Sequence, residues 1–260
     1  MATVKTEISS SSRWLSLCLA FCVSFLVLGG CADADSSESA TPGATAQARE
    51  VTLDDFARLD GKATIELTLE SGGTVIAELD GDSAPLTAGN FVDLVQREVY
   101  DGTVFHRVVR EPQPFVVQGG DPVSKDESVA VSMLGRGNFT DPDTGRPRYI
   151  PLEILPEEAD EPIYGQTFRQ ARENADPELM HARGALAMAR SQSPNSASAQ
   201  FYFALADLPF LDGDYAVFGY VTEGMDVVDG IAQGDRIASV RVTSGLDNFM
   251  PAPSGEAESE

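Results

Sequence analysis

The stretch Tyr100–Asp121, YDGTVFHRVVREPQPFVVQGGD, holds the side chains of this sequence best placed to do chemistry. An apolar, β-branched run (Val104, Phe105, Val108, Val109) carries the pair His106-Arg107. A Pro-broken turn follows, then a second apolar run, Phe115-Val116-Val117, that ends on Gln118 and a Gly-Gly pair. Two strands joined by a short turn fit this pattern. Side chains alternate along a strand, so Arg107 and Phe105 should share one face and His106 take the other. Arg107 is then a fixed cation beside an apolar floor, with Gln118 close enough to add amide hydrogen bonds. A guanidinium is always charged and rigidly forked, so it can stabilise a developing charge without giving up a proton.

Other chemistries fail on inventory. His106 and His181 are the only histidines, and no cysteine accompanies them in the expected folded part, so no zinc cluster is expected. Neither G-x-S-x-G nor GxxxxGK[ST] occurs. Carboxylates are abundant, but none falls in a recognisable catalytic spacing. No metal and no cofactor are expected. Taken singly, Arg107 reads as a surface strand arginine and Phe115, Tyr202 and Phe210 as ordinary core aromatics. Gln200 reads as a satisfied amide and His181 as a loop residue. Only the joint pattern lifts the functional reading.

That joint pattern resembles a known family. FHRVV, then a Phe ten residues on, then QGGD, is similar to the signature segment of the cyclophilins, the cyclosporin-type peptidyl-prolyl cis-trans isomerases. The likeness continues in GALAMAR (Gly184–Arg190), SASAQFYF (Ser196–Phe203) and FLDGDYAVFGYVTEGMDVVDGI (Phe210–Ile231), and covers roughly Ala63 to Val242. The resemblance implies a mainly β fold, a closed antiparallel barrel capped by two helices. It implies that Arg107 takes the role of the family's catalytic arginine. Phe115, Val116, Tyr202 and Leu211 match the proline pocket. Gln118 and Gln200 match the glutamines that hydrogen-bond the substrate backbone and orient the arginine. Ala189 and Arg190 match the pair whose backbone binds the peptide, and Phe210 and Tyr215 match the outer wall. His106 points away by strand alternation and takes at most a minor role. The best-known eukaryotic members have Met at Val116, Asn at Arg190, Phe at Tyr202, Trp at Phe210 and His at Tyr215. Tyr202 keeps the ring and adds a hydroxyl that needs water or a partner.

The implied reaction is rotation about an X-Pro bond, whose barrier is about 18–20 kcal/mol because amide resonance must be lost. It requires a donor aimed at the prolyl nitrogen, an apolar pocket for the ring and polar groups for the preceding carbonyl. The implied partners are proline-containing polypeptides, bound by a monomer. A non-catalytic proline-peptide binding module, or an assembly chaperone using the same pocket, is the alternative.

The elements that must position these residues are legible in part. Ile65, Leu67 and Leu69 alternate with polar residues, as do Val75, Ala77 and Leu79 after Ser71-Gly72-Gly73, so a hairpin is expected. Phe91, Leu94, Val95 and Val99 recur at helical spacing, with Thr87 as the expected N-cap after Pro85. Val129–Leu134 could be a strand. A short helix is expected around Thr167 to Glu173, and a longer one at Gly224 to Ile231. Ala185–Ala189, Phe201–Leu205, Tyr215–Val221 and Ile237–Val242 read as strands. The core domain is placed at 62–246. Its insertion at about 155–179 is expected to be dispensable for the barrel.

Outside that domain the composition changes. Lys5 and Arg13 precede an apolar run, Trp14 to Leu28, that is too short to span and ends LGGC. Residues 1–30 therefore read as a lipoprotein signal peptide, with Cys31 as the lipidated residue. The rival reading is an ordinary secretory signal cut after Ala32 or Ala34. Removing the leader takes Cys18 and Cys22 with it, so the remaining chain forms no internal disulfide. Residues 31–61 read as a flexible tether and 247–260 as a disordered acidic tail. The net charge of −23 argues against nucleic acid or anionic lipid as a partner, so membrane attachment would come through the lipid anchor.

Overall fold

The computed structural model describes residues 52–142 and 144–253. Its first hairpin follows from alternation. In β2 (Lys62–Leu69) Ala63, Ile65, Leu67 and Leu69 are buried, and in β3 (Thr74–Asp80) Val75, Ala77 and Leu79 are. The pair runs in register from Lys62↔Asp80 to Thr68↔Thr74. The remaining strands of the main sheet are β4 (Arg107–Val109), β5 (Val116–Gly119), β8 (Ala185–Met188), β9 (Phe201–Ala204), β10 (Val217–Glu223) and β11 (Ile237–Ser244). Together these eight strands form one antiparallel sheet in the order β11-β2-β3-β10-β8-β9-β5-β4.

The expected closed barrel is corrected in one respect. No ladder joins β4 to β11, which remain the two edges of the sheet. The segments just ahead of them meet instead: Phe105 N–H donates to Asp235 O at 2.9 Å and Ile237 N–H to Thr103 O at 2.8 Å. Only the single bridge Val104↔Arg236 is formed there. The reason is length, since β4 has three residues and pairing passes to the irregular chain before it.

The core lies between this curled sheet and α1 (Pro85–Gln96). Phe91 stacks on Tyr100 with ring centroids 4.7 Å apart and meets the edge of Phe201 at 5.4 Å. The helix begins at Pro85, whose missing N–H costs nothing at a first position, and Ala84 is its N-cap. Thr87 is therefore inside the first turn and not the cap expected for it. The capping is done from a distance: the fully buried Glu153 carboxylate accepts from Leu86 N–H at 3.0 Å and from Thr87 N–H at 2.7 Å. Gly89 sits mid-helix because a Cβ there would lie 2.3 Å from Arg58 Cα. Gly→Ala in a helix normally gains about 0.5–1 kcal/mol. Here Gly89→Ala is expected to lower the melting temperature, a sign reversal that a thermal melt reads directly.

Both ends of the expected domain are too short. Residues 53–55 form a short 3-10 turn, and β1 (Arg58–Leu59) pairs with β12 (Phe249–Met250) in the register Leu59↔Phe249. Leu59 is fully buried against the core. So 53–61 is not tether and 247–250 is not tail. Residues 1–51, which hold the leader, Cys31 and most of the expected tether, and residues 254–260 of the expected tail lie outside the described residues.

The segment 155–179 packs as well. β6 (Glu153–Ile154) pairs with β7 (Ile163–Tyr164), and the short helix α2 (Phe168–Ala171) is capped by Thr167. Phe168 joins Leu152, Ile154 and Ala216 in a satellite core, and Leu179 packs on the main one. The expectation that this segment is dispensable is thus corrected: its removal would uncover both. Val129–Leu134 is a 3-10 turn at Val131–Met133 rather than a strand. Among the described residues the last α-helix is α3 (Met225–Gly230).

Candidate active site

Register places the site. Arg107 lies directly opposite Gln118, Gln118 opposite Tyr202, and Tyr202 opposite Ala187. Directly opposed residues share a face, so these four form one row across β4, β5, β9 and β8. The neighbouring row, Val117, Phe203 and Leu186, points into the main core. The sheet is therefore covered on both faces. On the site face a second apolar cluster forms from Val116, Ala185, Ala187, Tyr202, Ala204, Leu208 and Val217, with Phe115, Leu211 and Tyr215 packed on it.

A small cavity of about 190 Å³ opens there, lined by Arg107, Phe115, Val116, Gln118, Ala189, Arg190, Tyr202, Leu211 and Tyr215. The two remaining residues assigned by resemblance flank it. Gln200 lines an adjoining cavity of about 490 Å³ that shares Gln118, Ala189 and Arg190. Phe210 is 67% exposed and stacks on Phe115 at 5.9 Å, a rim ring rather than a core one.

The cation is held by a chain of amides. Arg107 Nη1 donates to Gln118 Oε1 at 3.2 Å, Gln118 Nε2 to Gln200 Oε1 at 3.2 Å, and Gln200 Nε2 to Gly137 O at 2.9 Å. The chain ends on Asp121, which is fully buried and is not among the site residues that the resemblance assigns. Its Oδ2 accepts from the N–H groups of Gly135, Arg136 and Gly137 at 2.6, 3.2 and 3.1 Å. The QGGD motif contained this signal, but the distant loop it fixes is not adjacent in sequence. The apolar floor under Arg107 is Phe115, with the guanidinium carbon 5.4 Å from the ring centroid. It is not Phe105, which is buried in the core at 6.2 Å from Phe201. Strand alternation does not carry back to Phe105, because β4 starts only at Arg107.

Arg190 stacks over Tyr215 at 4.5 Å and donates through Nε to Asp214 O at 2.9 Å, so its side chain is a wall of the cavity. Ala189 N–H donates to Gln200 O at 2.9 Å. His106 is buried against Gly135 and lines neither cavity. Burial holds its pKa below the usual histidine value. His181 is not an exposed loop residue. It is 2% exposed and its Nε2 lies 2.9 Å from the Tyr202 hydroxyl, the partner that hydroxyl required. Burial pushes the Tyr202 phenol well above its ordinary pKa, so it stays protonated.

The family model described as "Cyclophilin type peptidyl-prolyl cis-trans isomerase/CLD" matches residues 64–246. A protein named as a thylakoid lumen peptidyl-prolyl cis-trans isomerase of Synechocystis sp. is 42% identical over 204 residues, 74% of this chain and 50% of that protein. The chloroplastic peptidyl-prolyl cis-trans isomerase CYP38 of Arabidopsis thaliana is 40% identical over 181 residues, 66% of this chain and 38% of that protein. The chain thus spans half or less of the length of these relatives. A crystal structure of a cyclophilin type peptidyl-prolyl cis-trans isomerase of Cryptosporidium parvum, determined in the presence of the dipeptide Ala-Pro, shares the fold. Its TM-score is 0.51 at 24% identity, over 70% of this chain and 99% of that one. With the family pattern matched from β2 through β11, this chain belongs to the cyclophilin-type peptidyl-prolyl cis-trans isomerases.

Proposed function

We propose that the chain catalyses cis-trans rotation of X-Pro bonds in polypeptides, using Arg107 as the donor to the prolyl nitrogen. The observation that carries this reading is Arg107 above Phe115 at the mouth of a ring-sized cavity, oriented by Gln118 and Gln200. Rotation out of the amide plane localises a lone pair on the prolyl nitrogen that is absent in the planar ground state. A fixed cationic donor aimed at that lone pair stabilises the twisted state more than the planar one. Phe115, Val116, Tyr202 and Leu211 supply the apolar surface for the pyrrolidine ring, and Gln118 and Gln200 the polar contacts to the flanking backbone. No proton is transferred and no covalent bond is broken. The test is a protease-coupled isomerisation assay on Ala-Pro peptides with the purified chain. Binding of such peptides without acceleration would leave a proline-binding module in place of an enzyme.

The site acts as a monomer in this reading, on exported or membrane-proximal polypeptides. Support for export comes from the apolar run ahead of Cys31 and from relatives named for the thylakoid lumen and chloroplast. Anchoring is proposed to be through lipid on Cys31; among the described residues no helix is long and apolar enough to cross a membrane. Cys31→Ser is expected to abolish lipid labelling and to leave either an uncut precursor or a product cut elsewhere. An unchanged mature mass and an unchanged membrane fraction would replace the lipoprotein reading with a plain signal peptide.

A further inference from the structure

We infer that His181 is a positioning residue for the isomerase reaction, locking the Tyr202 ring and the turn that carries Phe210 and Leu211 into one rigid wall of the proline cavity. The inference rests on the isomerase reading above and deepens it.

The geometry is that of a clamp. His181 Nδ1 lies 2.7 Å from Asp212 Oδ1, and the His181 backbone N–H donates to the same oxygen at 2.8 Å. The His181 carbonyl accepts from Leu208 N–H at 2.7 Å. Its Nε2 lies 2.9 Å from the Tyr202 hydroxyl. Leu208 and Asp212 bracket the 3-10 turn Pro209–Leu211, and Tyr202 stands in the middle of β9. One residue therefore ties a strand to the turn beside it through four contacts.

The chemistry assigns the tautomer. An ionised carboxylate only accepts, so Nδ1 carries the hydrogen and gives it to Asp212. Nε2 then presents a lone pair, and the Tyr202 O–H donates to it. The hydroxyl is turned out of the cavity, and carbon alone faces the ring of a bound proline. A Tyr at this position works as an apolar floor only because its oxygen is taken up behind it. Protonating His181 would remove the acceptor and leave the Tyr202 hydrogen without its partner. Burial already disfavours that form, with Asp212 opposing. The charged and titratable groups that face this network are Asp212 on His181, and Tyr215, Arg190 and Asp212 on Tyr202. Tyr220, from β10, donates its hydroxyl to Met180 O next door.

A double-mutant cycle with a pH profile tests this. His181→Leu and Tyr202→Phe are made singly and together in the full chain, and kcat and KM are measured on an Ala-Pro peptide from pH 5 to 8. His181→Leu is expected to lower kcat/KM about tenfold, the size of one buried hydrogen bond, chiefly through KM. In the Tyr202→Phe background the same change should cost threefold or less, because the hydroxyl it serves is gone. The wild type should lose activity on the acid side with a midpoint below the ordinary histidine value, and Tyr202→Phe should not. His181→Gln, which returns an acceptor near Nε2, should recover part of the rate and guards against a Leu variant that fails to fold. Equal losses in the two backgrounds, or the same acid limb in wild type and Tyr202→Phe, would overturn the inference and leave His181 a purely structural residue. If the wild type shows no turnover at any pH, the isomerase reading fails first. The cycle is then read on the affinity of the same peptide by NMR titration, where absence of coupling between His181 and Tyr202 again overturns the positioning role.

Discussion

Arg107→Ala should lower kcat/KM for an Ala-Pro peptide by two to three orders of magnitude while leaving the melting temperature within a degree or two. Removing one preorganised donor from a transition state costs about 3–4 kcal/mol in well-studied sites, and each 1.36 kcal/mol is about tenfold. The fold should be untouched because Arg107 is exposed and its side chain makes one hydrogen bond, to Gln118 at 3.2 Å, and lies over the Phe115 ring at the rim rather than in the core. Surface changes of that kind stay within about 0.5 kcal/mol. Arg107→Lys should recover little, since an ammonium restores the charge but not the fork that bonds Gln118 and the prolyl nitrogen together. Gln118→Ala should fall between wild type and Arg107→Ala, because it releases the guanidinium without removing it. Wild-type turnover in Arg107→Ala would sink the mechanism, whatever the cavity binds.

The second large effect concerns stability. Glu153→Ala is expected to cost about 3 kcal/mol, because it strands the N–H groups of Leu86 and Thr87 in a dry interior, at about 1–3 kcal/mol each. At about 2–4 °C per kcal/mol for a domain of this size, the melting temperature should drop by roughly 6–12 °C. Glu153→Gln keeps one acceptor and should cost less. The two variants also separate by pH. Burial raises the pKa of Glu153 above the ordinary 4.5, with its hydrogen bonds from Thr87 and Leu86 pulling the other way. A raised carboxylate means that the folded chain binds the proton more tightly than the unfolded chain. This group therefore costs no stability below about pH 4.5, and its cost grows as pH rises through the folded value. Glu153→Gln should remove that slope. A melting temperature in Glu153→Ala equal to wild type would show that the end of α1 is satisfied by other means.

Some of this protein was determined by local sequence alone. The β2–β3 hairpin follows from period-two alternation around Ser71-Gly72-Gly73, and α1 from the spacing of Phe91, Leu94 and Val95 after Pro85. The run from Arg107 to Gln118 likewise specified two strands and the pairing of its own two polar ends, which face each other in the register Arg107↔Gln118. Each of these is encoded within a score of neighbouring residues, where steric and burial preferences act directly.

What only the tertiary structure decided is who stands behind those residues. Phe115 rather than Phe105 lies under Arg107, because a strand's alternation ends where its ladder ends. Glu153 and not Thr87 satisfies α1, although the two are 66 positions apart in the chain. Leu59 and Phe249 pair across the whole domain, turning stretches of unremarkable composition into a sheet. His181 carries no pattern of its own, and its role exists only because the chain brings Tyr202 and Asp212 to its two nitrogens. A buried polar group must find a partner, but any distant donor or acceptor of the right shape will serve. The sequence states the need, and only the folded chain supplies the partner.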